Sequence, residues 1–294
     1  MTQNLHQALQ QFRRDGIESW LWIDAICIEQ SNNFGKAWQI MEMSEVFGRA
    51  DTVHLWLGPG CIGSDSTMDF ICRVGHRAQN CDVSTLWNNA TRKQEVSSYI
   101  EKRASLQEVD RNPTEKSELG SFIYDLLNED ALQTRSPLKA GIRNILERNY
   151  WHRIRVIQEI VLAKDALVVV GIKSVSLEIF DVTFAAIWCC IYFQLRPVRP
   201  EWKDFGAGLQ VTLYRVKCLD IRRHRQQNPT SKSVRLGEIL WELGAAPGYP
   251  YYTATDSTDV LFRLLSIVEG EQIGRIRADY SMSVADVSPC RPGF

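Results

Sequence analysis

The stretch Trp20-Leu21-Trp22-Ile23-Asp24-Ala25-Ile26-Cys27-Ile28 decides the reading of this chain. It is a near-continuous apolar run too short for an ordinary helix, which predicts a strand buried on both faces. One carboxylate, Asp24, interrupts it. From Lys36 the period changes: Ile40, Met43, Phe47 and Ala50 fall on one helical stripe, with Glu42, Glu45 and Arg49 off it. Val53, Leu55 and Leu57 then alternate with His54 and Trp56 until Gly58-Pro59-Gly60 closes the run. Strand, helix and strand with short links predict a βαβ unit and hence a parallel sheet flanked by helices, an α/β fold.

On either side of this unit the periodicities are less dense. Leu5, Ala8, Leu9 and Phe12 predict an amphipathic helix over Met1–Arg14, ended by Asp15-Gly16. Ser64 or Asp65 is placed to cap a helix that turns Met68, Ile71, Val74 and Ala78 inward. Residues 79–136 are rich in Asn, Ser, Glu and Lys and read as a variable insertion, mostly loop, with a helix near Glu118–Asn128. Pro137 opens a further helix, Tyr150–Ala163 follows as another, and Ala166–Val170 is a short buried strand closed by Gly171. The division expected is an α/β core over 1–172 and a mainly helical region over 173–294. That region starts with a helix capped at Ser176. It ends with one whose first turn carries Asp256 and Asp259 and whose inner face carries Val260, Leu261, Leu264, Leu265 and Val268.

Composition narrows the function classes. With 34 Lys and Arg against 35 Asp and Glu the formal charge is −1, so nothing global favours nucleic acid or an anionic membrane. The apolar run Val182–Leu195 is shorter than the roughly 18 to 20 residues a membrane span needs, which predicts a buried helix. No basic region followed by an apolar core opens the chain, so no secretory leader is expected, and the eight cysteines then read as reduced thiols of the cytosol or nucleus. Cys72, His76 and Cys81 lack a second ligand pair at finger or ribbon spacing, so no metal is expected. The Arg215–Arg235 stretch has basic character without a recognition motif and reads as a solvated face. No dinucleotide fingerprint, P-loop, metalloprotease or nucleophile-elbow motif is present.

Three blocks carry a family resemblance. WIDAICIEQ with Gln39, Met43, Ala50 and HLWLG is one. Tyr150-Trp151-His152-Arg153-Ile154-Arg155-Val156-Ile157-Gln158-Glu159 is the second. Ala254-Thr255-Asp256-Ser257-Thr258-Asp259-Val260, with Asp279-Tyr280-Ser281 after it, is the third. Together they resemble the fungal heterokaryon incompatibility (HET) domain, well over Leu5–Gly171 and thinly beyond. Glu29 and Gly35 depart from the family wording. An earlier family strand with a Y-x-x-L-S-Y-x-W-G motif has no counterpart before the first helix. The expectation drawn from that is an N-terminally truncated core, exposed at its sheet edges and prone to aggregate alone.

The resemblance implies non-self recognition: a cytoplasmic effector of incompatibility that leads to cell death, with an unknown incompatibility partner. The order of elements also resembles the TIR (Toll/interleukin receptor) layout, in which a helix bearing an aromatic-x-x-x-Glu motif supplies the carboxylate that cleaves NAD. Carried over by position, that implies Glu159 as the catalytic group and NAD as substrate, with no bound cofactor. Arg155 stands where the aromatic residue belongs. Asp24, Arg155 and Trp151 are the ligand-binding candidates. Each also has a plain reading: Asp24 as a buried carboxylate bonded to backbone, Arg155 and Glu159 as an i,i+4 surface ion pair, and Trp22, Trp38, Trp56 and Trp151 as core. The competing functional class is a module that acts through self-association without catalysis, or an inactive fragment.

Overall fold

A computed structural model describes residues 2–28, 42–86, 89–105, 117–129, 136–192 and 267. The helix expected at Asp256–Val268, the basic run at Arg215–Arg235 and the Asp279-Tyr280-Ser281 block lie outside these, as do Trp38, Gln39, Glu29 and Gly35. The described part is mixed α/β, mostly helical, with a three-stranded sheet in the order β1 (Val53–Trp56), β2 (Ala166–Val170), β3 (Lys173–Ser176). The chain groups into two compact units. Among the described residues the first holds those up to Gly58 together with Arg148–Leu167. The second holds Pro59–Glu147 together with 168–192.

In the first unit, α1 (Gln3–Arg14) forms where the 3.6-residue stripe predicts it. Thr2 caps it, its side chain accepting from the Leu5 N–H at 3.4 Å, and Ala8 and Phe12 are buried. Helix α3 is described over 42–49, with Met43 and Phe47 buried and Glu45 paired outward with Arg49 at 2.7 Å. β1 buries Val53 and Leu55 and leaves His54 and Trp56 half-buried, the alternation of a strand covered on one side. Its Val53 N–H donates to the Asp165 carbonyl at 2.8 Å, at the start of β2.

The decisive stretch does not form the predicted strand. Ile23 is extended, and Asp24–Cys27 is a four-residue helix, α2, closed by the Cys27 N–H donating to the Ile23 carbonyl at 2.8 Å. Trp20 is 104% exposed, Ile26 58%, and Leu21 and Trp22 are also exposed, while Ile28 is buried. A short apolar run is compatible with helix or strand, and only a partner strand on each side selects the strand. Trp22 instead sets its ring edge-on to Phe47 at 6.1 Å. The parallel sheet expected from this run is corrected with it. Two residues, Gly171 and Ile172, link β2 to β3, a connection that only an antiparallel hairpin allows. The sheet is mixed, so β1 and β2 run parallel.

The second unit is a helical packing. Helix α4 (Ser64–Asn80) buries Met68, Ile71, Val74 and Ala78 as predicted, with Gly63 rather than Ser64 or Asp65 at its N-cap. Helix α5 (Ala90–Ser105) occupies part of the segment expected to be loop; its apolar face is narrow, with Val96, Tyr99 and Ile100 buried. Helix α6 (Glu118–Leu127) is capped by Ser117 and α7 (Pro137–Leu146) by Ser136, with Pro137 in its first turn. Helix α9 (Leu177–Tyr192) lies against α4, where Gly75 lets the backbones close. A Cβ there would sit 2.5 Å from the Ile179 carbonyl oxygen and the Thr183 Oγ1. Gly171, at φ 57°, turns the β2–β3 hairpin where a Cβ would meet the Gly60 backbone at 2.7 Å. No helix among the described residues is long and apolar enough to cross a membrane.

Candidate functional site

The block that starts at Tyr150 folds in two steps rather than as one helix. Asn149–His152 make a 3-10 turn, Arg153 is extended at φ −84° and ψ 131°, and helix α8 runs Arg155–Leu162. The turn is tied by the Trp151 N–H to the Arg148 carbonyl at 3.0 Å and by the Arg153 N–H to the Tyr150 carbonyl at 3.2 Å. Val156, Ile157, Ile160 and Val161 are inward, so the i,i+4 pair Arg155 and Glu159 is left half-buried along one side of the helix.

Two polar contacts organise that side. The Tyr150 hydroxyl donates a short hydrogen bond to the Glu159 carboxylate. The Arg155 guanidinium pairs with the Asp24 carboxylate, the two side chains 29% and 25% exposed. Arg155 and Glu159, one turn apart, thus meet an acid and a phenol from outside α8. The kink at Arg153 folds Tyr150 back onto α8, and Asp24, in the first turn of α2, meets Arg155 from outside the helix. Trp151 is buried and packs edge-on against Tyr150 at 5.2 Å and 81°, which makes it a core residue that holds the Tyr150 ring. Of the four candidates, Asp24 meets Arg155, Glu159 meets Tyr150, and Trp151 stands behind Tyr150.

The far end of β1 belongs to the same unit. Arg148 donates through Nη1 to the Leu57 carbonyl at 3.1 Å, beside Gly58. The Trp56 indole N–H donates to Asn4 Oδ1 at 3.1 Å, and Phe12 meets His54 edge-on at 5.1 Å and Trp56 at 6.2 Å. Burial lowers the His54 pKa, against the opposing pull of Asp15. Arg148 and the role of Tyr150 escape the sequence reading. Tyr150 and Glu159 are nine residues apart across a helix break, so no helical periodicity links them.

Chemically, the arrangement is a carboxylate held in one orientation by a phenol, with a guanidinium one helical turn away. A carboxylate has about four acceptor positions, so one phenol does not by itself exhaust it. It is a group able to face a developing cation. In the second unit the buried Cys189 and Cys190 of α9 are inert, since burial pushes the Cys189 thiol up to about 12 and Cys190 well above its usual range. Cys72 and Cys81 are half-buried and His76 is exposed. Among the described residues no group of three or more His, Cys, Asp or Glu is placed to hold a metal.

A family model described as heterokaryon incompatibility protein (HET) matches residues 1–159, more than half of the 294 residues. The heterokaryon incompatibility protein 6, OR allele, of Neurospora crassa is 26% identical over 272 residues, which cover 90% of this chain and 36% of that protein. The chain thus spans about a third of the length of the curated relative it matches. No solved structure matches. With its motifs at Trp22–Ile28, Val53–Gly58 and Tyr150–Glu159 inside or against the matched span, this chain belongs to the heterokaryon incompatibility (HET) family.

Proposed function

We propose that the chain acts in a fungal incompatibility response, in the cytoplasm, as an effector whose engagement leads to cell death. The family match over residues 1–159 and the incompatibility relative support the role. At the level of residues the reading is that Glu159 cleaves the N-glycosidic bond of NAD or a related nucleotide, as the TIR-like order of motifs implies. The observation that carries it is the half-buried Glu159 carboxylate held by the Tyr150 hydroxyl. In this step the ribose C1′–N bond breaks and its electron pair leaves with neutral nicotinamide. Glu159 faces the ribosyl cation, and water adds at C1′ and releases a proton. Arg155, where the family has an aromatic residue, pairs with Asp24 and offers no aromatic ring to stack on a base. A lost base–aromatic stack costs about 1–3 kcal/mol, roughly five- to a hundred-fold in affinity, so the cleavage is slow in this chain.

A second reading, a non-catalytic module that acts through self-association or an incompatibility partner, is favoured by the exposed Trp20, Leu21, Trp22 and Ile26. Expression in a fungal host separates the two. The enzymatic reading predicts that the chain lowers cellular NAD and viability together, and that Glu159→Ala spares both. Equal loss of viability with both proteins at unchanged NAD puts the module reading in its place.

A further inference from the structure

Arg148 heads the 3-10 turn Asn149–His152, and its side chain leaves that turn for the end of β1. We propose that Arg148 is a positioning residue for Glu159: by fastening the turn to the end of β1 it sets the Tyr150 hydroxyl, and through it the orientation of the Glu159 carboxylate. This rests on the reading of Glu159 as the reacting group, and adds what aims it. A chain of contacts runs through the first unit. Arg148 Nη1 donates to the Leu57 carbonyl at 3.1 Å, just past β1. The Arg148 carbonyl accepts from the Trp151 N–H at 3.0 Å, so one residue holds the strand with its side chain and the turn with its backbone. The Arg153 N–H donates to the Tyr150 carbonyl at 3.2 Å, and buried Trp151 lies edge-on to the Tyr150 ring at 5.2 Å. The Tyr150 hydroxyl then donates to Glu159. The strand end leaves room for the guanidinium: Gly58 has φ 118°, and a Cβ there would stand 3.2 Å from Arg148 Nη1.

The plain alternative is an arginine that only satisfies a strand-end carbonyl. Such a residue would stabilise the unit and leave Tyr150 where it is. The turn is short, however. One residue separates Arg148 from Tyr150, and both are half-buried, so a shift of the Arg148 backbone is passed to the Tyr150 ring. Arg148, Tyr150 and Glu159 make further contacts, so the guanidinium is one tie among several and its loss loosens the turn without freeing it. Orientation matters to this chemistry, since an ångström of misplacement of a reacting group costs up to about a hundred-fold in rate.

The test reads the Tyr150 ring by carbon NMR of the full 294-residue chain labelled at the tyrosine ζ carbons, whose shift follows the hydrogen bonding of the hydroxyl. Tyr150→Phe assigns the signal among the nine tyrosines, and Glu159→Ala gives its position without the carboxylate. Arg148→Met, which keeps the stem and removes the donors, should move the signal part of the way to that position. Arg148→Lys, which keeps a donor for the Leu57 carbonyl, should move it less. Gly58→Ala presses on the guanidinium from the strand and should move it too, which decides the matter if Arg148→Met does not fold. A signal unmoved in Glu159→Ala or in folded Arg148→Met overturns the proposal, as does one unmoved in Gly58→Ala where that variant decides. An equal move in Arg148→Lys and Arg148→Met assigns the effect to lost arginine packing and overturns it as well. Nicotinamide release in the Arg155→Trp background separates this from the reading it rests on. Adding Arg148→Met there should lower kcat by up to about a hundred-fold and leave KM unchanged. A raised KM at unchanged kcat would place Arg148 on the substrate and overturn positioning. No release from any variant removes Glu159 as the reacting group, while the tyrosine signal still decides whether Arg148 sets its orientation.

Discussion

Two apolar stretches of similar composition end in opposite environments. Leu177–Cys190 in α9 has Phe180, Phe184 and Ala186 fully buried. Trp20–Ile28 exposes two tryptophans, a leucine and an isoleucine. The difference lies in what faces them. α9 meets α4 at Gly75, close enough for the Thr183 hydroxyl to donate to the Ile71 carbonyl of α4 at 2.9 Å. Among the described residues, the Trp20 stretch sets Trp22 against the edge of Phe47 and Asp24 against Arg155, and buries Ile28. Apolar composition says what can be buried, and complementary backbone decides what is.

The contrast can be broken by mutation. Phe184→Ala should cost its unit about 3–5 kcal/mol, the loss for a large buried aromatic, read as a lower urea midpoint. Gly75→Ala should follow at about 1–3 kcal/mol, because its Cβ meets the Ile179 carbonyl oxygen, which is backbone and cannot turn aside. An unchanged midpoint in Gly75→Ala would mean that α4 and α9 are not held at this spacing.

His54 sharpens the account of the other unit. Burial lowers its folded pKa below the ordinary 6.5, with Asp15 pulling the other way. The folded state then binds fewer protons than the unfolded one. His54 thus contributes stability that is full above pH 6.5 and is lost as pH falls through the lowered folded value. His54→Gln should flatten that acid-side loss in a pH series of urea midpoints. A loss of the same steepness in the variant would assign it to other groups. Smallest of all, Trp20→Ala should shift stability by no more than about 0.5 kcal/mol, as exposed positions do. A large loss there would show that the tryptophan packs.

What the sequence discloses follows the same division. Helices with a broad apolar stripe and a cap were legible: α1 after Thr2, α4, α7 behind Ser136-Pro137, and the inward face of α8. So were β1, from its alternation, and β2, from its valine run. α5 was not, because its buried face is only Val96, Tyr99 and Ile100. β3 was not, because Lys173–Ser176 has one buried residue, Val175, and pairs only through the turn at Gly171. The Leu21 run predicts a strand from its length and apolarity alone, and periodicity cannot show whether a neighbouring strand is there to pair with it. At the site, Asp24, Arg155, Trp151 and Glu159 were all named, but their pairing was not. The break at Arg153 redirects Tyr150 to Glu159, and long-range contacts such as Asp24 to Arg155 leave no trace in spacing.

We propose Glu159, held by Tyr150, as the reactive group of this HET chain. Nicotinamide release from NAD by the purified protein tests it most directly, compared across wild type, Arg155→Trp, and Arg155→Trp with Glu159→Ala under identical conditions. Slow release by the wild type is expected, with roughly five- to a hundred-fold faster release once an aromatic ring stands at position 155, and none when Glu159 is also removed. Release that survives Glu159→Ala, or no release from any of the three, contradicts it.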